Sequence, residues 1–167
     1  MIGAAGQAFR VTALDDCGGS ITLLPVDTTY GQDGLRTGGL LSELDQPMLL
    51  SDSADFRQFV PNKAFLLLDF WGSWCRPCVE AIPELREFYA RNADRVQLIG
   101  MNRGDTQSKI AELRAAHGMS WPSYRVTEAQ AQYLGVSGYP TLMLFSRQGE
   151  LLLSTSRLDE VIQRIAK

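Results

Sequence analysis

At 167 residues, with 45% hydrophobic and 21% charged residues, the chain has the composition of a folded globule with one substantial core, not of a disordered segment. Its formal net charge of −3, from 16 Lys and Arg against 19 Asp and Glu, argues against a phosphate-tracking surface and so against nucleic acid as the main partner. No apolar run approaches the roughly 20 residues of a membrane span, and the longest, Ala64 to Leu68, stops at Asp69.

The opening residues, MIGAAGQAFR, are not expected to be a signal peptide, because no basic residue precedes Arg10 and the apolar stretch is short. Phe9 to Leu14 and Ile21 to Leu24 read as short strands, and the DDCGGS between them is rich in turn residues, so a hairpin is expected. Asp27 to Gly39, rich in Thr, Gly and Asp, reads as a loop or linker. Residues 1–50 are therefore taken as an N-terminal extension and 51–167 as the main domain.

From Ser51 onward strand and helix alternate. Ser51-Asp52-Ser53 offers N-caps for a short helix, Ala54 to Phe59, that Pro61 ends. Ala64 to Phe70 is a nearly continuous apolar run, as in a strand buried on both faces. Pro77 to Asn92 is the longest helical stretch, with Val79, Ile82, Leu85, Phe88 and Tyr89 on one face and Pro83 inside it. Val96 to Met101 is a second strand. A helix capped by Asp105 or Thr106 runs to about Ala116 and stops at Gly118. Ser123 to Val126 is extended, and Thr127 caps a helix through Leu134. Thr141 to Phe145 and Leu151 to Ser154 form a hairpin around Arg147-Gln148-Gly149. Leu158 to Ala166 closes the chain as an amphipathic helix. The order β-α-β-α-β-α-β-β-α predicts an α/β core.

Trp74-Cys75-Arg76-Pro77-Cys78 carries the chemistry. Cys75 falls just before the first helical turn, where free N–H groups and the helix dipole favour an anion. Its thiol is therefore expected to ionise readily and to act as the nucleophile. Pro77 costs little there, since its missing N–H would be unpaired anyway. Cys78, one turn on and expected to be the more buried, is placed to resolve a mixed disulfide. Arg76 is expected to add a nearby cation that stabilises the thiolate. Structural disulfide, half zinc site and unrelated thiols are the competing readings. Zinc needs four ligands, and only Cys17 and His117 remain outside the pair as soft ligands. A bridge closing so short a loop constrains the unfolded chain little. A Cys-x-x-Cys pair beside a βαβ pattern fits a redox site best.

LLLDFWGSWCRPC resembles the active-site segment of thioredoxins, and within them the TlpA/ResA-like branch of thiol–disulfide oxidoreductases. The resemblance covers about Ser51 to Lys167. It implies a thioredoxin fold, a central mixed sheet flanked by helices, here with an inserted helix–strand element and the β-rich extension in front. The 37 residues between Asn102 and Pro140 leave room for that insertion. By the resemblance Asp69 stands at the place of the family's buried acid, Trp71 and Trp74 at its two tryptophans, and Pro83 at the proline of its active-site helix. Val136-Ser137-Gly138-Tyr139-Pro140-Thr141 matches the segment with the family's cis-proline. The branch often has Glu three residues after the second cysteine. This chain has Ala81 there and Glu80 one place early, on a side chain turned by about 100°.

The expected function is reduction of protein disulfides, with Cys75 as nucleophile, Cys78 resolving and Asp69 exchanging the proton of Cys78. Trp74, Arg76, Pro77, Tyr139 and Pro140 are the expected substrate contacts, the Tyr139 backbone pairing with an extended segment. No metal and no organic cofactor is needed. The expected partners are disulfide-containing proteins and an upstream dithiol reductant, in the periplasm or cell envelope by family resemblance. A peroxide-reducing thiol protein and a non-catalytic thioredoxin-scaffold binding module are the alternatives. Cys17 is read as a passenger thiol, and His117 as a helix-end residue.

Overall fold

The computed structural model describes residues 35–40 and 63–166 with their side chains, and the backbone of 9–14, 21–25, 30–31, 34, 50–51 and 54–55. The chain divides into two compact units, Met1–Gln32 and Asp33–Lys167. In the first, β1 (Phe9–Leu14) pairs antiparallel with β2 (Ile21–Pro25), with Leu14 opposite Ile21, which is the expected hairpin. Its connection, with Cys17, lies outside the described residues. β3 (Tyr30–Gly31) follows.

The second unit begins with β4 (Gly34–Leu35), and Leu35 is buried. The backbone then doubles back. Gly38 N–H donates to the Leu151 carbonyl at 2.8 Å, Leu151 N–H donates to Gly39 at 2.9 Å, and Leu40 bridges Glu150. The stretch expected to be a plain linker is thus partly tied to the sheet. The Thr and Gly composition hid this, because Leu35 and the pair Leu40-Leu41 are too short to show a period. β5 (Leu50–Ser51) pairs antiparallel with β6 (Ala54–Asp55), so a helix does not start at Ala54. Asp and Ser serve turns as well as helix caps, and here the strand pairing wins. Residues 56–59 of that expected helix lie outside the described set.

The core is a five-stranded sheet in the order β11-β10-β7-β8-β9. Its strands are β7 (Phe65–Trp71), β8 (Val96–Arg103), β9 (Ser123–Val126), β10 (Thr141–Ser146) and β11 (Leu151–Thr155). β7, β8 and β9 are parallel, whereas β10 runs antiparallel to both β7 and β11. The central strand β7 is buried from Leu66 to Trp71, which explains its unbroken apolar run.

Among the described residues three helices connect these strands and a fourth follows β11. α1 (Arg76–Asn92) turns Cys78, Ile82, Leu85 and Phe88 inward, and its helical span continues through Pro83. α2 (Gln107–His117) is capped by Thr106 and closed by Gly118 at φ 65°. α3 (Glu128–Tyr133) starts with a complete capping box between Thr127 and Gln130. α4 (Leu158–Ile165) buries Leu158, Val161 and Ile165. α2, β9 and α3 fill the long segment between β8 and Pro140. Leu67 and Trp71 of β7 share a core cluster with Leu142 and Leu144 of β10 and with the inward faces of α1 and α4. Asp69 lies between Leu67 and Trp71, on the same side of the pleat.

Candidate active site

Cys75 is the N-cap of α1, with extended backbone, and Cys78 N–H donates to its sulfur at 3.3 Å. The helix therefore aims a free amide and the positive end of its dipole at Cys75 Sγ. The two cysteines are joined in a disulfide of 2.05 Å. Pro77 occupies the first turn. Burial does not separate the pair as expected: Cys75 is 5% exposed and Cys78 4%. In the bridged form each sulfur covers the other, so what distinguishes Cys75 is its cap position, not its exposure.

Arg76 departs from the expected role. Its side chain is 88% exposed and donates to Glu80 at 2.7 Å, one helical turn along. The guanidinium is solvated and neutralised by its own helix neighbour, so it stabilises a Cys75 thiolate little.

Asp69 is 6% exposed on the central strand, opposite Leu142 of β10 and Gly100 of β8. Burial pushes its carboxyl from 3.8 up to about 7. It shares with Cys78 a cavity of about 240 Å³ between α1, β10 and the start of α4, also lined by Ala81, Pro140 and Arg157. Ala81, not Glu80, faces this cavity, and Glu80 is occupied by Arg76. The Asp69 carboxyl and the Cys78 side chain thus open onto a common space.

Two aromatic rings meet beside residues of the site: Trp74 precedes Cys75, and Tyr139 precedes Pro140, which lines the cavity with Cys78. Trp74 is 52% exposed and meets Tyr139 edge to face, with centroids 5.1 Å apart. The Tyr139–Pro140 peptide bond is cis. The indole Nε1–H donates to the Arg103 carbonyl at 2.8 Å. It folds back over Gly72, where a Cβ would collide with the ring and with the Arg103 carbonyl. Trp71, by contrast, is buried and donates from Nε1 to Ser123 Oγ at 3.2 Å. His117 ends α2, and its carbonyl accepts from Arg86 at 3.4 Å.

The sequence reading offered Asp105 only as a helix cap, a place Thr106 takes, and it missed two groups of residues beside the site. Asp105 accepts from the Ser73 amide at 2.9 Å, the Ser73 hydroxyl at 2.5 Å and the buried Asn102 side-chain amide at 2.8 Å. This ties the loop before Cys75 to the loop after β8. Burial works to raise the Asp105 carboxyl, but the bonds from Ser73 and Asn102 and the charge of Lys109 outweigh it, so it lies below the ordinary value. Arg103 and Glu128 form an ion pair beside Trp74. The available signal was positional: polar residues directly after a buried parallel strand lie at the sheet end where α/β sites form.

A family model described as thioredoxin-like matches residues 63–151, more than half of the chain. The chain belongs to the thioredoxin-like family. Among its relatives, the thiol–disulfide oxidoreductase ResA of Geobacillus thermodenitrificans is 29% identical over 107 residues, 60% of each chain. ResA of Bacillus subtilis is 26% identical over 89 residues, 52% of this chain and 50% of that one. Thioredoxin of Alicyclobacillus acidocaldarius is 31% identical over 98 residues, 59% of this chain and 72% of its own length. The match thus spans about 60% of the length of the ResA proteins from Geobacillus.

The thioredoxin fold recurs in solved structures. The thioredoxin domain of a thiol–disulfide oxidoreductase from Bacteroides vulgatus superposes with a TM-score of 0.62 at 17% identity, covering 80% of this chain and 97% of that one. A DsbF homologue from Corynebacterium diphtheriae gives 0.59 at 24% identity, covering 71% and 79%. The expected family, its TlpA/ResA-like character and the mixed sheet flanked by helices are borne out.

Proposed function

We propose that this protein is a thiol–disulfide oxidoreductase that reduces protein disulfides through Cys75 and Cys78. The observation that carries the reading is the Cys75–Cys78 bridge at the start of α1, with a helix amide on Cys75 Sγ and the buried Asp69 sharing a cavity with Cys78. The family membership and the ResA relatives support it.

In the reduced protein the Cys75 thiolate attacks one sulfur of a substrate disulfide. A Cys75–substrate bond forms, the substrate S–S bond breaks, and the other substrate sulfur leaves as a thiolate that takes up a proton. Cys78 then gives its proton to Asp69 and attacks Cys75 Sγ. The Cys75–Cys78 bond forms, the mixed disulfide breaks and the second substrate thiol is released. The substrate gains two electrons and the protein dithiol loses them. An upstream dithiol of another protein restores the reduced state, so both substrate and reductant are polypeptides carrying cysteine pairs.

Purified protein should catalyse reduction of insulin by dithiothreitol, and Cys75→Ser should abolish this. Cys78→Ser should accumulate mixed disulfides from a cell extract, whose partners mass spectrometry identifies. Catalysis that survives Cys75→Ser would remove the assigned nucleophile and the reading with it.

A further inference from the structure

Trp74 and Tyr139 meet from two different loops, each directly preceding a site residue, Cys75 or Pro140. An exposed indole at such a place would ordinarily sample several rotamers, and docking a polypeptide would have to freeze them. Here it is already held. The Arg103 guanidinium lies 5.1 Å from the Trp74 ring centroid and 5.6 Å from that of Tyr139. One cation therefore sits on both rings while its own carbonyl accepts from the indole. The Tyr139 hydroxyl is buried without a hydrogen-bond partner among the described residues, so packing and the cation, not a polar tether, hold this ring.

What holds Arg103 comes from a different element. Its Nε pairs with Glu128 Oε2, and Glu128 is the first residue of α3. The other carboxylate oxygen accepts from Gln132 at 2.9 Å, one turn along the same helix. The capping box fixes the start of α3, and with it the backbone that carries Glu128. A chain of contacts thus runs from α3, in the segment between β8 and Pro140, through Arg103 to the two rings that precede Cys75 and Pro140.

We propose that Glu128 is a positioning residue for polypeptide substrates: it seats Arg103 on Trp74 and Tyr139 and so pre-forms the aromatic lip against which a disulfide-bearing chain docks. This rests on the oxidoreductase reading and adds a selectivity to it. Large substrates that cover the lip depend on the clamp, whereas a small disulfide that reaches only the sulfurs depends on it far less.

The test uses the full chain, reduced beforehand and followed through a single turnover against excess insulin or oxidised glutathione as the two probes. Glu128→Gln removes the charge that anchors Arg103, and Arg103→Lys keeps the charge but loses the planar stacking group. For each variant the loss in kcat/KM for insulin should exceed the loss for glutathione by about threefold to tenfold, and should lie mainly in KM. Acrylamide quenching of tryptophan emission, with Trp74→Phe as the subtraction control, should rise in both variants. Equal losses on the two probes, or unchanged quenching of Trp74, would overturn the clamp. Wild-type protein inactive on both probes would overturn the oxidoreductase reading and the docking role together. An active wild type with no difference between probes would overturn the inference alone.

Discussion

In the proposed function, Asp69 links the stability of the molecule to its chemistry. In the native protein its carboxyl ionises near 7, whereas in an unfolded chain it ionises near 3.8. Below the lower value both states carry the proton and nothing is lost. As pH rises between the two values the unfolded chain releases its proton first, so the native state loses stability. Above about 7 the loss is complete, on the order of 4 kcal/mol. Asp69→Asn is neutral throughout and should abolish this decline: between pH 5 and 8 the urea midpoint should fall in the wild type and stay nearly level in the variant. The same variant should slow resolution of the mixed disulfide by about 10²–10⁴-fold, more than its formation, as loss of a general base does. Matching pH profiles and matching resolution rates would leave Asp69 without either role. Arg76 is the opposite case, a charge beside the nucleophile in sequence that the structure turns to solvent and to Glu80. Arg76→Gly should therefore move the reduction potential by less than about 10 mV in equilibration against glutathione. A change of 30 mV or more would show that the guanidinium acts on the thiolate after all.

Between elements, the local features were legible and the crossing ones were not. The cap position of Cys75, the first-turn Pro77, the Thr106 and Thr127 caps and the stop at Gly118 all follow from residues within one helical turn of each other. The Ser73–Asp105–Asn102 network joins two loops that lie 32 residues apart in the chain, and no local pattern announces such a bond. Asp105 is nevertheless what anchors the loop leading into Cys75. Asp105→Ala leaves the Ser73 amide and the buried Asn102 side chain without their acceptor, which should cost about 1–3 kcal/mol in urea unfolding. Since the Asp105 carboxyl lies below its unfolded value, this contribution is present above pH 4 and fades as pH falls through the native value. The deficit of the variant should shrink accordingly in acid. Faster amide exchange at residues 72–75 in the variant would locate the damage in the active-site loop. A full deficit retained at low pH would show that packing, and not the ionised carboxylate, is what the substitution removed.

At the scale of the whole molecule, the apolar runs from Ala64 onward and the caps Thr106 and Thr127 specified the β-α-β-α-β-α-β-β-α order, with elements as short as Ser123–Val126 placed between them. The pairs Leu50–Ser51 and Ala54–Asp55 and the bridge at Leu40 are too short to show a period. The balance of charge around the two cysteines then bears on the folded state as a unit. Stabilising the reduced form relative to the disulfide makes a dithiol couple more oxidising. Among the described residues, the groups near the pair offer little such stabilisation. The start of α1 favours a Cys75 thiolate, but Arg76 is paired to Glu80, and Asp69 in the shared cavity opposes further negative charge once ionised. The folded protein should consequently be a reductant, with a potential close to the roughly −270 mV of thioredoxin and far from the roughly −120 mV of a strong oxidase. The same balance fixes a stability order: the disulfide form should unfold at a higher urea concentration than the dithiol form. The two measurements are linked through a thermodynamic cycle, in which about 30 mV corresponds to about 1.4 kcal/mol. A dithiol form that outlasts the disulfide form in urea, together with a potential near −120 mV, would reverse the direction of electron flow assigned to this site.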